Sequence, residues 1–119
     1  MYTLISKWTI LSGKEKEAIE LLKNLAVKVK ENEPDTWTYL VHTPDFSEIN
    51  LPTPAIGEVV FFEIYKNKEA FTAHVEGHVF LDFVQQHGNL FLNNYGKPYV
   101  TLEILTNQAG FIRTEHFLK

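Results

Sequence analysis

The stretch GEVVFFEIYKNKEAFTAHVEGHVF, residues 57–80, decides the fold. Its first part, Glu58 to Tyr65, reads as a strand that is apolar on both faces except at Glu63. A strand of this kind must be covered on both sides. Its second part reads as a helical segment that places His74 and His78 one turn apart. Because the rest of the chain supplies helices for only one side of a sheet, the other side is predicted to need a different cover.

Length, charge and composition limit the classes of protein that this chain can be. With 119 residues it is expected to be a single domain, residues 1–119. The formal net charge of -4 argues against a nucleic-acid or anionic-membrane partner. The absence of cysteine excludes disulfides, thiolate metal sites and cysteine nucleophiles. No signal peptide is recognisable, and no apolar run approaches the roughly 20 residues of a membrane span, so a cytoplasmic location is expected.

Hydrophobic periodicity predicts elements in the order β-α-β-β-α-β. They are strand Tyr2–Leu11, helix Lys14–Glu31, strands Thr36–His42 and Glu58–Tyr65, helical Lys68–Asn94 in two pieces joined at Gly77, and strand Tyr99–Leu105. Residues 43–56 read as a loop. The tail, 106–119, is expected to contact a partner, and within it 111–119 could form a fifth short strand or an extended arm. This order predicts an α+β, ferredoxin-like split βαβ antiparallel sheet with both helices on one face.

The two sides of the third strand differ in composition. The aliphatic and phenylalanine set Val60, Phe62 and Ile64 is predicted to lie under the helices, as are Val100, Leu102 and Ile104 of the last strand. The mixed set is predicted to lie on the uncovered face; its candidates are Tyr2, Trp8, Trp37, Tyr39, Phe61, Glu63 and Tyr65. An exposed apolar patch of this size usually marks an interface. A homodimer paired sheet to sheet, enclosing ligand pockets near Glu63, is therefore expected.

Several short motifs together resemble one family. They are Ser12-Gly13-Lys14 after the first strand, Glu33-Pro34 before an aromatic strand, Phe62-Glu63-Ile64-Tyr65, Ala70-Phe71, Ala73-His74 and His78. This pattern resembles the antibiotic biosynthesis monooxygenase (ABM) domain, and most of all its small quinol-monooxygenase-like members, up to about Leu105. The resemblance implies a dimeric α+β barrel. It also implies oxygenation of a quinol or polyphenol by O₂ without a cofactor, with the substrate inside each protomer's barrel.

Two catalytic residues are predicted, His74 and Glu63. Both match positions of the family pattern, and a histidine ring can accept a phenolic proton at neutral pH. A buried acid without a partner could carry a proton. The structural alternatives remain open. His74 could have a purely structural role, as a hydrogen-bond partner of the sheet or a loop, and Glu63 could pair with Lys7 or Arg113.

Six further residues are predicted to bind the substrate: Tyr65, Phe71, His78, Trp8, Tyr39 and Phe61. Aromatic side chains could align a flat ring, although at strand spacing they could equally be core or dimer contacts. His74 and His78 have metal-compatible spacing, but no third ligand is evident, so no metal and no cofactor are expected. The haem-degrading relatives are expected to carry a tryptophan and a histidine where Phe71 and Leu81 stand here. A non-catalytic small-molecule-binding module, or a haem-binding protein using His74 or His78, is the alternative to a monooxygenase.

Overall fold

A computed structural model describes residues 1–117, which form one main sheet with helices on one of its faces. The elements are β1 (Tyr2–Thr9), α1 (Glu15–Asn32), β2 (Thr36–His42), β3 (Glu58–Tyr65), α2 (Lys68–Glu76), α3 (His78–His87), β4 (Asn93–Asn94), β5 (Lys97–Pro98) and β6 (Thr101–Leu105), with 3₁₀ turns at Gly88–Leu90 and Thr114–His116. The predicted bounds of β2 and β3 are confirmed. Within these residues, no helix is long and apolar enough to cross a membrane.

The main sheet has the strand order β2-β3-β1-β6, and each neighbouring pair is antiparallel. With α1 and the α2–α3 pair as crossovers, this is the predicted ferredoxin-like α+β fold. The register defines two faces. Ser6 on β1 lies opposite Phe61 on β3 and Leu102 on β6, so these three share the face that the helices cover, called here the covered face. Ile5 lies opposite Phe62 and Glu103 on the other side, called the open face.

The helices follow the spacing that the sequence predicts. In α1 the buried stripe is Ala18, Leu22, Leu25 and Val29, one residue per turn along the covered face. The helical region after β3 starts where the Asn67 side chain accepts a hydrogen bond from the backbone of Ala70 at 2.9 Å. It breaks at Gly77, as predicted. A Cβ at Gly77 would lie 2.8 Å from the carbonyl oxygen of Ala73, so the break requires glycine.

The chain after α3 differs from the prediction. Helix was expected as far as Asn94, but α3 ends at His87, and a short hairpin, β4–β5, precedes β6. Tyr95 and Gly96 form its two-residue turn with φ of 52° and 84°, a left-handed pair that suits such hairpins. The turn packs against Gly88, where a Cβ would lie 1.9 Å from the Gly96 carbonyl oxygen. The segment 93–98, whose asparagines and glycine were interpreted as a helix end, therefore forms a hairpin that packs against Gly88.

The tail does not form the additional strand that was considered. Residues 106–113 are irregular and are followed by the 3₁₀ turn Thr114–His116. The tail begins beside the open face, where residues 105–112 line a shallow groove with Phe62 and Ile64. The last two residues of the predicted strand, 118–119, lie outside the described residues.

The side assignment of β3 was wrong. Val59, Phe61, Glu63 and Tyr65 lie on the covered face and are buried, whereas Val60 and Phe62 lie on the open face and are partly exposed. Trp8 and Tyr39, also expected on the open face, pack against Phe61 under the helices. Large aromatic rings fill the wide space between a sheet and its helices, and Glu63 is tolerated there because it is hydrogen-bonded.

The side assignment of the last strand was correct, but its residues are not covered. Leu102 and Ile104 of β6 face the same side as Ser6 and Leu4. They remain 47% and 49% exposed because β6 is the edge strand and neither α2 nor α3 extends over it. Of the remaining predicted open-face residues, Trp37 is 55% exposed at a register irregularity between Thr36 and Thr38.

Candidate functional site

A cavity of about 160 Å³ lies between the covered face and the α2–α3 pair. Its lining residues are Ser6, Trp8, Tyr39, Phe61, Glu63, Phe71, His74, Val75, Phe80, Val100 and Leu102. Its walls are mostly aromatic, and its ionisable groups are Tyr39, Glu63 and His74. The cavity lies within one protomer. The expectation that paired sheets enclose the pocket at Glu63 is therefore wrong, because Glu63 points under the helices.

His74 is the most constrained polar group of the site. It projects from α2, is 3% exposed, and its Nδ1 lies 2.7 Å from Oε1 of Glu33, the residue that caps the end of α1. Since a carboxylate accepts, Nδ1–H donates this bond. The hydroxyl of Thr36 donates a second bond to the same oxygen at 3.1 Å. Glu33 is thus held in place by β2 while it holds the imidazole.

Aromatic rings surround His74 on its other sides. The ring centroids of Tyr39, Tyr65 and Phe80 lie 5.3 Å, 5.6 Å and 5.3 Å from that of the imidazole. The second ring nitrogen, Nε2, has no hydrogen-bond partner among residues 1–117, and no buried side-chain nitrogen or oxygen there is left unpaired. Nε2 therefore retains some accessible surface, and His74 lines both the cavity and a groove on its outer side.

Glu63 is buried at 5% exposure and accepts a hydrogen bond from the Tyr65 hydroxyl at 2.5 Å. Burial raises the pKa of Glu63; the bond from Tyr65 and a positive charge on His74 oppose this rise, and the charge of Glu33 adds to it. Neither of the suggested ion-pair partners is used. Lys7 lies on the open face, 3.9 Å from Glu58 and from Glu103, and Arg113 lies over the ring of Phe111.

The two tyrosines beside these groups are neutral phenols rather than bases, and Tyr65 donates its hydroxyl hydrogen bond to Glu63. Burial raises the pKa of Tyr39 well above its ordinary value, and the nearby charges of Glu63 and Glu33 raise it further. Burial likewise raises the pKa of Tyr65, reinforced by Glu63. A neutral phenol that must donate to a carboxylate fixes the Glu63 side chain in one orientation.

The structure brings most of the predicted site residues together. Trp8, Tyr39, Phe61, Glu63, Phe71 and His74 all line the cavity. Tyr65 is fully buried beside it and donates a hydrogen bond to Glu63, which lines it. His78 is the exception: it is exposed at the start of α3 and lines a separate outer groove of about 290 Å³ together with Glu33 and one side of His74.

Sequence reasoning missed three groups of residues at the site. Val75 and Phe80 line the cavity from positions that carry no distinctive spacing, and Val100, just before β6, and Leu102, within it, contribute its edge. Glu33 is the most important omission, since it is bonded to His74. It was missed because it is 41 positions away from His74 in the sequence. The only signal in the sequence was an acid immediately before Pro34, at a helix end.

A metal-binding arrangement is not formed in the described part of the chain. Within residues 1–117, no group of three or more His, Asp or Glu side chains converges as a metal site would require. The outward position of His78 explains why the i, i+4 spacing of the two histidines does not produce one: Gly77 changes the chain direction between them.

Comparison with known proteins identifies the family of this chain and finds its fold in solved structures. The family model for "Antibiotic biosynthesis monooxygenase" matches residues 1–86, which run from β1 to the penultimate residue of α3 and include Glu33, Glu63 and His74. The chain therefore belongs to the antibiotic biosynthesis monooxygenase family. No curated protein matches it.

Solved structures share the fold at low sequence identity. A Caulobacter crescentus protein provisionally assigned as an antibiotic biosynthesis monooxygenase is 19% identical with a TM-score of 0.72, over 91% of this chain and 90% of that one. A Deinococcus radiodurans protein with the same provisional assignment is 16% identical with a TM-score of 0.68, over 94% and 99% of the two chains. A Bacteroides thetaiotaomicron protein described as a possible oxidoreductase is 17% identical with a TM-score of 0.64, over 87% and 94%. At these identities the likeness concerns the fold alone.

Proposed function

We propose that this protein is a cofactor-independent monooxygenase that oxidises a quinol or polyphenol-like aromatic substrate with O₂. The observation that carries the proposal is the cavity itself: an aromatic-walled space under the helices that contains an oriented histidine, His74, and a buried acid, Glu63. A mostly apolar site that holds a base beside an acid is suited to proton transfer with a phenol.

The cavity volume favours a single aromatic ring at the reacting end of the substrate. Its volume of about 160 Å³ is close to that of an apolar cavity of about 150 Å³ that accommodates benzene. Trp8 and Phe61 supply flat walls against which such a ring can stack. A larger substrate would extend toward Val100 and Leu102, which are partly exposed at the sheet edge.

The proposed chemistry balances without an external reductant. Nε2 of His74 accepts the phenolic proton, and the electron-rich ring then transfers electrons to O₂ and forms a carbon–oxygen bond, giving a ring hydroperoxide. Its O–O bond and the C–H bond at the same carbon break, a carbonyl forms, and the distal oxygen leaves as water. A hydroquinone and O₂ thus yield a hydroxyquinone and water, with the quinol supplying all the electrons.

His74 and Glu63 have different parts in this sequence. His74, with Nδ1–H engaged by Glu33, offers Nε2 as the base. Glu63, whose pKa is raised by burial, is suited to give a proton to the leaving oxygen as a general acid. His74 gives its added proton to the peroxide oxygen to form the hydroperoxide, and Glu63 takes up the C–H proton after it has protonated the leaving oxygen, so both groups return to their starting protonation states.

Oxygen uptake with menadiol or hydroquinone tests the proposal. The wild-type protein is expected to consume O₂ faster than the uncatalysed reaction, and His74→Ala is expected to reduce the rate by about a hundredfold or more. His116→Ala, which removes an exposed histidine of the tail, is the control and should retain the wild-type rate. Uptake at the uncatalysed rate, unaffected by His74→Ala, would refute the enzymatic function.

The same cavity could serve a non-catalytic binding module, and one measurement separates the two functions. Thermal stabilisation by a quinol without product formation would favour binding alone. Haem is a poorer fit, because the space beside His74 accommodates about one ring and His78 faces the outer groove. A Soret band on haem titration that is lost in His74→Ala would contradict this.

We further propose that the open face pairs with the same face of a second copy. Ile5, Leu40, Val60, Phe62 and Leu105 lie on it, and Leu40 and Leu105 are 48% and 41% exposed. An apolar sheet face of this kind is a typical two-fold interface. Sedimentation should show a dimer at micromolar concentration, and Leu40→Lys should shift it toward a monomer. A wild-type monomer at that concentration would refute the interface.

A further inference from the structure

We infer that Glu33 is a positioning residue for the base of this site, forming with His74 a carboxylate–imidazole pair that keeps Nε2 unprotonated toward the cavity. This inference rests on the proposed function, and it adds a residue from a different element at the far end of α1. The geometry consists of the 2.7 Å bond from Nδ1–H to Glu33 Oε1, the near-complete burial of His74, and the position of that ring between two spaces.

The first step of the argument is that Glu33 selects the tautomer. A neutral imidazole carries one proton, and a carboxylate can only accept. A carboxylate at hydrogen-bond distance from Nδ1 therefore places the proton there and leaves Nε2 with a lone pair. Without the carboxylate the two tautomers compete, and only one of them can take a proton from a phenol in the cavity.

The second step is that Glu33 itself is fixed. It terminates α1, where its backbone N–H donates to Val29 at 2.9 Å, and its carboxylate accepts from Thr36 at 3.1 Å. Its side chain is 18% exposed and lines the outer groove, so the carboxylate keeps contact with water while it bonds a ring that is almost fully buried. The free-energy cost of keeping the Glu33 carboxylate charged is therefore small. Its charge stabilises the imidazolium that forms when Nε2 takes a proton.

The third step is that no neighbouring group has the same role. Tyr39, Tyr65 and Phe80 contact the imidazole through their rings, and Glu63 is bonded to the Tyr65 hydroxyl. On the groove side, Asp35 and His78 line the same space as Glu33, but neither is bonded to His74. Glu33 is the carboxylate that is bonded to the imidazole within the described chain.

The test compares two acids of one groove. Glu33→Gln can donate its amide to Nδ1 and so favours the unreactive tautomer; kcat for menadiol-dependent O₂ uptake should decrease by about a hundredfold, with KM within about twofold. Asp35→Asn removes the same charge from the same groove without touching His74, and it should change kcat by less than about twofold. Circular dichroism melting of each variant establishes that it is folded.

Chemical rescue distinguishes positioning from a structural effect. In Glu33→Ala the lost carboxylate leaves space that opens on the outer groove, so added acetate should restore activity in a concentration-dependent manner, whereas chloride should not. A purely structural loss would respond to neither anion. Failure of acetate to restore any activity in a folded Glu33→Ala protein, or a Glu33→Gln variant with at least half the wild-type kcat, would overturn the inference and leave the proposed function standing.

If the wild-type protein does not turn over menadiol, the Glu33–His74 pair can still be tested by a measurement that needs no activity. In that case the proposed function fails for this substrate, and ¹⁵N NMR of the histidines of the wild-type protein measures the tautomer directly. A neutral His74 ring protonated at Nδ1 in the wild-type protein, and redistributed toward Nε2–H in Glu33→Ala, supports the pair. A wild-type ring protonated at Nε2 would overturn it.

Discussion

Phe61 and Phe62 are neighbours on β3, yet they lie in opposite environments. Phe61 is 1% exposed and contacts Trp8 and Tyr39 on the covered face, whereas Phe62 lies on the open face beside Ile5 and Leu40. The covered face holds the large aromatic rings and the buried polar groups of the site. The open face is mainly aliphatic, with ion pairs that reach water. The difference shows that polarity on a strand does not identify its solvent side when a cavity lined by polar groups lies under the helices.

The largest expected effect comes from the paired substitutions Phe61→Ala and Phe62→Ala. Phe61→Ala removes a fully buried ring, and we expect the free energy of unfolding to decrease by about 3–5 kcal/mol. Phe62→Ala should decrease it by only about 1–2 kcal/mol in the monomer. Urea unfolding measures both. If the open face pairs in a dimer, the Phe62→Ala effect should also depend on protein concentration. Equal effects at all concentrations would contradict the contrast between the faces.

A smaller effect is expected from Tyr65→Phe, which removes only a hydroxyl. The acceptor it leaves, Glu63, is buried at 5% exposure, so the loss should reduce the free energy of unfolding by about 1–3 kcal/mol. Because the bond from Tyr65 lowers the pKa of Glu63, the substitution should raise that pKa further. Urea unfolding measures the first change, and ¹³C NMR of the Glu63 carboxyl during a pH titration measures the second. A pKa that falls would show that the hydroxyl is not the donor.

Glu63→Gln tests the buried acid through the pH dependence of stability. The folded-state pKa of Glu63 is raised above 4.5, so its neutral form stabilises the protein fully below that pH, and this contribution is lost as the pH rises through the folded value. The variant has no such loss. The free energy of unfolding of the variant minus that of the wild type should therefore increase as the pH rises above about 4.5. The total increase should be about 1.4 kcal/mol for each pH unit by which folding raises the pKa of Glu63. A difference that is independent of pH would contradict the raised pKa.

The smallest expected effect is on the open face, with Lys7→Met. The Lys7 ammonium lies 3.9 Å from carboxylate oxygens of both Glu58 and Glu103, and its side chain is 39% exposed. Exposed pairs of this kind contribute little, so the free energy of unfolding should change by less than about 1 kcal/mol. The change should decrease further in high salt. A loss comparable to that of Tyr65→Phe would indicate that Lys7 is buried in an assembled interface.

The sequence was sufficient for the order of elements, and for the exact limits of β2 and β3, because strands bounded by Pro34, by the prolines of residues 43–56 and by Asn67 have clear ends. It also located the break at Gly77. It could not assign the sides of β3, because both faces are apolar and alternation then carries no information. Nor could it predict the hairpin β4–β5, whose two-residue turn depends on φ at Tyr95 and Gly96 rather than on hydrophobic spacing.

The site was predictable where one local pattern carried it. His74 and Phe71 share a helix, and Phe61 and Glu63 share one face of a strand, so spacing along the chain already groups each pair. The bond between His74 and Glu33 was not predictable in this way, since it joins the last turn of α2 to the C-terminal end of α1. The outward position of His78 was also not predictable. The sequence locates a kink at Gly77 but does not give its direction, and that direction decides where the first turn of α3 points.

Gly88 has a consequence for the shape of the cavity, although it lies outside it. The carbonyl of Gly96 occupies the space where a side chain at position 88 would begin, so the hairpin can seat directly on the end of α3. The next strand, β6, leaves that hairpin within a few residues and carries Leu102 to the cavity edge. Even a methyl group at position 88 would overlap the Gly96 carbonyl, so we expect it to displace the hairpin outward and to shift β6 as well. The position of the strand that borders the cavity therefore depends on the absence of a side chain at Gly88.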